Sequence, residues 1–116
     1  MELFIADQDG PGYREFNFSP SGAWAAYGFD AYREGMADLR FETVPEVYDR
    51  LQSADDARLN ARIFALSPSE VKIALSAVIE ETNGTKSYWA LAHPPGKPDF
   101  HHPACFAATL PPPTEA

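Results

Sequence analysis

The sequence predicts an all-β protein folded as an antiparallel β-sandwich. Short runs of alternating apolar and polar residues follow one another along the chain, and clusters of Gly, Pro and Asn separate them. Alternation with period two is typical of half-buried strands, and those residue types are typical of turns. Asn83-Gly84, between two such runs, is the strongest local hairpin signal.

The first strands come from the N-terminal third. Leu3–Asp7 is the first run, and Tyr13–Phe18 is the second. The turn Ser19–Gly22 leads into Ala23–Tyr32, whose alanines leave a helix open as the alternative. Alternation places Tyr13, Glu15 and Asn17 on one face of the second strand. In the third run it separates Trp24, Ala26 and Gly28 from Ala25, Tyr27 and Phe29.

The secondary structure predicted for the middle of the chain is less definite. Arg33–Glu42 is predicted as loop, and Val44–Ser53 fits a strand or a helix. In Arg58–Leu66 the apolar residues alternate with polar ones, which favours a half-buried strand. An acidic turn at 55–56 separates these two runs. Val71–Glu81 alternates with period two and is predicted as a strand.

The Asn83-Gly84 hairpin also predicts a register. A two-residue loop places Glu81 opposite Lys86, Val78 opposite Trp89 and Ala74 opposite His93. One face of the hairpin is then apolar, and the other combines a large aromatic side chain with polar groups. We expect this second face to be a binding surface, and its members are Ser76, Val78, Ser87, Trp89, Leu91 and His93.

Composition and charge exclude several classes of binding partner. The chain has 116 residues, the length of one domain, and a net charge of −8. The acidic balance argues against nucleic acid and against an anionic membrane surface. A lone cysteine, Cys105, excludes an intrachain disulfide and suits a reducing compartment. With no leader or spanning segment in view, we expect a soluble, cytoplasmic protein, unless a leader precedes Met1.

Catalytic and metal chemistry find little support. The three histidines, His93, His101 and His102, lack a recognised metal-ligand spacing, so a structural role is favoured over a metal site. Met36 with one histidine is the weak case for haem. No nucleophile motif, facing carboxylate pair or phosphate loop is evident, so we expect no enzyme activity. Aromatic planes beside polar groups remain, an arrangement that binds sugar rings.

Two stretches carry a family resemblance. Tyr13-Arg14-Glu15-Phe16-Asn17-Phe18-Ser19-Pro20-Ser21-Gly22-Ala23-Trp24 and the stretch from Ser87-Tyr88-Trp89 to Asp99-Phe100-His101-His102-Pro103-Ala104-Cys105-Phe106 resemble the bacterial DOMON-like family. That family is related to the family 9 carbohydrate-binding modules. The resemblance implies a β-sandwich with a ligand cleft on one sheet, which binds sugar in some members and haem in others. In the sugar-binding relatives, two tryptophans sandwich the ligand.

The resemblance also implies strands before Glu2-Leu3-Phe4, so we expect a sandwich that lacks its N-terminal strands and forms a homodimer through an open sheet edge. The domain is expected to span residues 1–110, with a disordered Pro-rich tail at 111–116. We expect a non-catalytic module that binds a small ligand, foremost a carbohydrate. The alternatives are a haem-binding electron-transfer domain and an interaction domain with no small ligand. The expected ligand-binding residues are Glu15, Asn17, Trp24, Tyr27, Trp89 and His93.

Overall fold

A computed structural model describes residues 1–7, 9–53, 57–64 and 69–112. The predicted turn at 55–56 and the last residues of the predicted tail, 113–116, lie outside these ranges. Antiparallel strands dominate the described residues, and their one short helix is a 3₁₀ turn, Pro103–Cys105. The predicted all-β sandwich is confirmed. The described part of the chain holds no helix long and apolar enough to cross a membrane.

The described residues form nine strands in two sheets. The strands are β1 Glu2–Ala6, β2 Tyr13–Phe18, β3 Trp24–Phe29, β4 Ala37–Asp38, β5 Glu46–Gln52, β6 Ala57–Arg62, β7 Val71–Glu80, β8 Lys86–Ala90 and β9 Ala108–Leu110. The larger sheet has the order β4-β3-β2-β1-β7-β8, and β9 pairs with β7 beyond the end of β8; the smaller sheet pairs β5 with β6.

The smaller sheet covers one face of the larger sheet. We call this the sandwich face; Ile5, Phe16 and Ala26 on it are buried. Partly buried apolar side chains of the smaller sheet and of the segments on either side of it pack against them, as the alternation in β6 predicts. They are Leu39, Phe41, Val47, Leu59, Ala61 and Ile63.

The opposite face of the larger sheet carries a second apolar cluster and the polar residues described below. We call it the cleft face; Phe4, Tyr13 and Phe29 on it are buried. A loop at residues 99–106 covers part of this face, with Phe100 and Cys105 completing the cluster. The rest of the face has no covering sheet among the described residues. Two-sided burial makes β1, the strand that carries Phe4 and Ile5, the centre of both clusters.

The predicted hairpin register is wrong by one residue. Gly84 N–H donates to the Glu81 carbonyl at 2.9 Å, and Glu81 N–H donates to the Thr85 carbonyl at 2.8 Å, so the loop has three residues. A two-residue Asn-Gly loop needs a positive φ at both positions. Here Gly84 has φ 87, whereas Arg33 is the one non-glycine residue of the described chain with a positive φ. Asn83 therefore stays in a type I turn, and Gly84 forms the bulge.

The shift exchanges the faces of β8. Lys86 pairs with Glu80 rather than Glu81, and Trp89 pairs with Ala77 rather than Val78. A one-residue slip moves every side chain of a strand to the other face. Trp89 therefore lies on the sandwich face, and the prediction that it shares a face with Ser76 is wrong.

Candidate functional site

A polar row crosses the cleft face of the larger sheet. Glu2 pairs with Asn17 on one side and with Ser76 on the other, so the three side chains stand next to each other. Small residues end the row, because Ala25 pairs with Asn17 and Ala90 pairs with Ser76. Side chains of directly paired residues point to the same side of a sheet. We call these three polar residues, together with Glu15, the acceptor row.

Glu15 precedes Asn17 by two residues on β2, so its side chain lies on the same face, beside the other three. It pairs with Phe4 and Tyr27 and is only 7% exposed. The carboxyl of Glu2 and the side chain of Asn17 are its polar neighbours on this face. Burial, followed by repulsion from Glu2, raises the pKa of Glu15 above its ordinary value of 4.5. Burial likewise raises the pKa of Glu2, against the pull of the nearby chain amino group.

Two oxygens of the acceptor row lack hydrogen-bond partners. Asn17 Oδ1 and Ser76 Oγ are buried without a partner within the described chain. Ser76 as a whole is 7% exposed. A buried polar atom without a partner costs roughly 1–3 kcal/mol, so such atoms are uncommon away from functional sites. Both atoms belong to residues that flank Glu2 on the cleft face.

Two open cavities meet at two members of the acceptor row, Glu15 and Asn17. A cleft of about 470 Å³ lies at the end of the sheet, and a second cavity of about 330 Å³ adjoins it beside β3. Glu15 and Asn17 line both. The further lining residues are Met1, Glu2, Phe18, Ser19, Ala23, Trp24, Ala25 and Val78 in the first, and Tyr27, Phe29, Arg33, Met36 and His101 in the second.

The loop at 99–106 holds His101 over the cleft face. Asp99 fixes this loop, since its carboxylate accepts from Tyr32 Oη–H, from Arg33 Nη2 at 2.8 Å and from the His101 N–H at 3.2 Å. His102 caps the following 3₁₀ turn, because its Nδ1 accepts from the Ala104 N–H at 3.0 Å. The segment from Asp99 to Pro103, which is part of the family resemblance, therefore has a structural role here, because its hydrogen bonds hold the loop in place.

Both nitrogens of His101 face protein groups. Nδ1 is 2.7 Å from the Tyr13 hydroxyl, and Nε2 is 3.7 Å from Glu15 Oε2. The Tyr13 hydroxyl also accepts from the Arg33 N–H at 3.0 Å, so it donates to Nδ1 when the imidazole carries its proton on Nε2. Burial, followed by the charge of Arg33, lowers the pKa of His101 below 6.5. The ring is therefore neutral at pH 7, and its contact with Glu15 is not an ion pair.

The haem alternative stays a prediction. Met36 and His101 line the same cavity, as an axial pair would require. His101 Nδ1 is bonded to Tyr13, and its Nε2 lies 3.7 Å from Glu15 Oε2. Among the described residues, no group of three or more His, Cys, Asp or Glu side chains is placed to hold a metal ion.

The six residues expected to bind ligand separate into two groups. Glu15, Asn17 and Tyr27 lie together on the cleft face, because β2 pairs with β3 so that Glu15 is opposite Tyr27. Trp24 borders the larger cleft, but its ring packs edge-on against Phe41 at 5.7 Å, on the sandwich face. Trp89, 60% exposed on that same face, is not near them.

His93 lies beyond the end of β8, exposed, with its ring centroid 6.0 Å from that of Phe100. The two tryptophans do not form a sandwich for one sugar ring. Trp24 is on β3 and Trp89 is on β8, and three strands separate these two. At the usual strand spacing the distance is about 19 Å.

Three residues of the site, Glu2, Arg33 and His101, were not expected to bind ligand. Glu2 belongs to an apolar strand, and only its position between Asn17 and Ser76 makes it their neighbour. Ser76 was expected on a binding surface, but together with Trp89 rather than with Glu2. Arg33 and His101 arrive from loops. The only feature of the sequence that could have pointed to Glu2 is a carboxylate within the apolar run Met1–Ile5. A charge in a strand that is buried on both faces costs free energy, so it suggests a specific role.

No protein-family model, no curated protein and no solved structure matches this chain.

Proposed function

We propose that this protein is a non-catalytic binding module for a small, hydroxyl-rich ligand, foremost a carbohydrate, which is held on the cleft face. The observation that carries the proposal is the buried, unpartnered Asn17 Oδ1, because Asn17 lines both of two adjoining open cavities. A sugar hydroxyl supplies the donor that this atom lacks. The DOMON-like resemblance stays a prediction that points the same way.

The cavity next to β3 is lined by polar side chains, Glu15 and Asn17, and by an aromatic side chain, Tyr27. Tyr27 is half-buried and lines the cavity beside Glu15, while Arg33 offers donors at its outer side. A sugar ring places its apolar C–H face on an aromatic ring and its hydroxyls on polar groups. The arrangement holds a ligand without a nucleophile, since His101 is engaged and Cys105 is 1% exposed. We keep the expected cytoplasmic location as part of this proposal, because Cys105 is the chain's only cysteine.

A titration monitored by amide NMR tests the proposal. The labelled protein is titrated with a panel of neutral mono- and disaccharides, and we expect shifts at the amides of β1, β2 and β3 around Asn17. Asn17→Ala should lower the affinity about tenfold, the usual effect of losing one buried hydrogen bond. Trp89→Ala is the matched control, because Trp89 lies on the other face. Absence of shifts for every sugar, or shifts centred on Trp89, would reject the site.

A further inference from the structure

Another cavity lies at the far end of the cleft face from Asn17, and Ala6 is one of the residues that line it. Ala6 pairs with Tyr13 on β2, and the β1–β7 register continued by one residue places Lys72 on its other side. Side chains of residues that stand opposite one another point to the same side of a sheet. The methyl group of Ala6 between two long side chains leaves a depression, which belongs to a cavity of about 350 Å³.

The wall of this cavity is largely apolar and aromatic. Tyr13, Tyr32 and Phe106 contribute rings, and the ring of Phe106 lies edge-on to that of Tyr13 at 6.0 Å. The remaining lining residues, apart from Ala6 and Lys72, are Gly10, Pro11, Gly12, His101 and Pro103. The two tyrosine hydroxyls are engaged, since Tyr32 donates to Asp99 and Tyr13 is bonded to His101. A concave, mainly apolar cavity of this size is typical of sites for small organic molecules.

Lys72 gives this cavity its charge. Of the described residues that line it, Lys72 alone has a charged side chain, because His101 is neutral at pH 7. The Lys72 ammonium group forms no ion pair within the described chain. The carboxylate of Asp7 stands beside Gly12 but does not line the cavity. An unpaired lysine at an apolar cavity favours a ligand that brings one negative charge.

We propose that this cavity is a second binding site and that it takes a small aromatic carboxylate. The ring of the ligand enters beside Tyr32 and Phe106, and its carboxylate pairs with the Lys72 ammonium group. Aromatic rings attract one another edge-on or offset, so an aromatic acid gains more here than an acid without a ring. The site does not depend on the sugar site, because His101 is the one described residue that lines both this cavity and the cavity beside β3.

Three probes test the proposal. Benzoate, benzyl alcohol and acetate are each titrated into the protein at neutral pH, and binding is followed by amide NMR. Benzoate should shift the amides of Ala6, Tyr13 and Lys72. Benzyl alcohol keeps the ring without the charge and should bind about fivefold more weakly, the upper range for a solvent-exposed ion pair. Acetate keeps the charge without the ring and should cause no saturable shift.

Variants separate the two halves of the ligand. Lys72→Met keeps a long side chain at an exposed position and should lower the affinity for benzoate about fivefold, to that of benzyl alcohol. Lys97→Met, an equal change at an exposed lysine outside the cavity, should change nothing. Ala6→Leu fills the depression and should abolish binding of both aromatic probes. Because Lys72 is exposed, Lys72→Met keeps the test open if Ala6→Leu does not fold.

Each outcome supports or overturns the proposal. Benzoate shifts around Ala6 that weaken in Lys72→Met but not in Lys97→Met support it. Equal affinity for benzoate and benzyl alcohol, or equal weakening in the two lysine variants, overturns the pairing of a carboxylate with Lys72. No saturable shift with benzoate, or shifts centred elsewhere on the molecule, overturns the site. Failure of every sugar to shift the amides around Asn17 rejects the proposed function alone, since the two sites are tested by different probes.

Discussion

At the scale of single residues, Ser76 holds a hydroxyl in a place where a methyl group fits better. The side chain is buried, and its Oγ has no partner in the described chain. We expect Ser76→Ala to leave the free energy of unfolding unchanged or to raise it by up to about 1 kcal/mol, since it removes an unsatisfied polar atom. Urea denaturation of the unliganded protein measures this. A loss above about 1 kcal/mol would mean that the hydroxyl has a partner.

Glu15 is expected to lower the free energy of unfolding as the pH rises, whereas a carboxyl with a lowered pKa does the opposite. Burial and the charge of Glu2 raise its pKa, so the folded state binds its proton more tightly than the unfolded state. The stability this provides is complete below pH 4.5 and is lost as the pH rises through the raised pKa. We expect Glu15→Gln to gain stability relative to the wild type as the pH rises from 4.5 to neutrality.

Urea denaturation of both proteins across that pH range gives the difference directly. His101 acts with the opposite sign, because its lowered pKa gives stability above pH 6.5 that is lost as the pH falls. Because His101 Nε2 lies 3.7 Å from Glu15 Oε2, the comparison is repeated in a His101→Asn background, where only Glu15 differs in titration. A constant difference between Glu15→Gln and the wild type would show that Glu15 titrates at its ordinary value.

The sequence predicts part of this residue-scale picture. Period-two alternation puts Glu15 and Asn17 on one face without knowledge of the fold. It cannot show that Glu2 is their neighbour, because that contact depends on which strands pair. Nor can it show that His101 is neutral and enclosed, since this follows from a loop that folds back over β1 and β2.

At the scale of elements, the β7–β8 hairpin shows how one backbone angle decides the faces of a strand. Gly84 has φ 87, and an added Cβ meets nothing within 4 Å. The cost of Gly84→Ala is therefore conformational alone, and we expect a loss of about 1 kcal/mol in the free energy of unfolding. Gly84→Asn, the matched control, should cost less because Asn tolerates this conformation. Equal effects of the two variants in urea denaturation would contradict this.

The same hairpin marks the limit of sequence reasoning. Asn-Gly predicts a turn correctly, but the dipeptide is compatible with both a two-residue loop and a three-residue loop with a bulge. Here the Asn83 side chain accepts from the Thr85 N–H at 2.9 Å, which supports the longer loop. The length of the loop decides which face of the sheet carries Trp89. Because the loop has one residue more than predicted, Trp89 lies on the sandwich face and not at the predicted site.

At the scale of the whole molecule, one part of the sandwich face is left uncovered. Among the described residues β8 pairs only with β7, so its other edge is open. Next to this edge four large apolar side chains are between 38% and 60% exposed: Leu75, Ile79, Trp89 and Leu91. Open edges and contiguous apolar patches both favour association. The homodimer expected from the sequence stays a prediction, and this surface is the one that best supports it.

The charge of the molecule sets the conditions for that dimer. Two copies that each carry −8 repel one another, while burial of the apolar patch attracts them. Salt shortens the Debye length from about 10 Å at 0.1 M to about 3 Å at 1 M, so it weakens the repulsion and leaves the apolar attraction. We therefore expect sedimentation velocity to show dimers that increase with protein concentration and with salt. Trp89→Glu should abolish them, whereas Tyr48→Glu, an equal change at a 44% exposed aromatic on the smaller sheet, should not. A single species of monomer mass at every concentration and salt level would contradict the dimer.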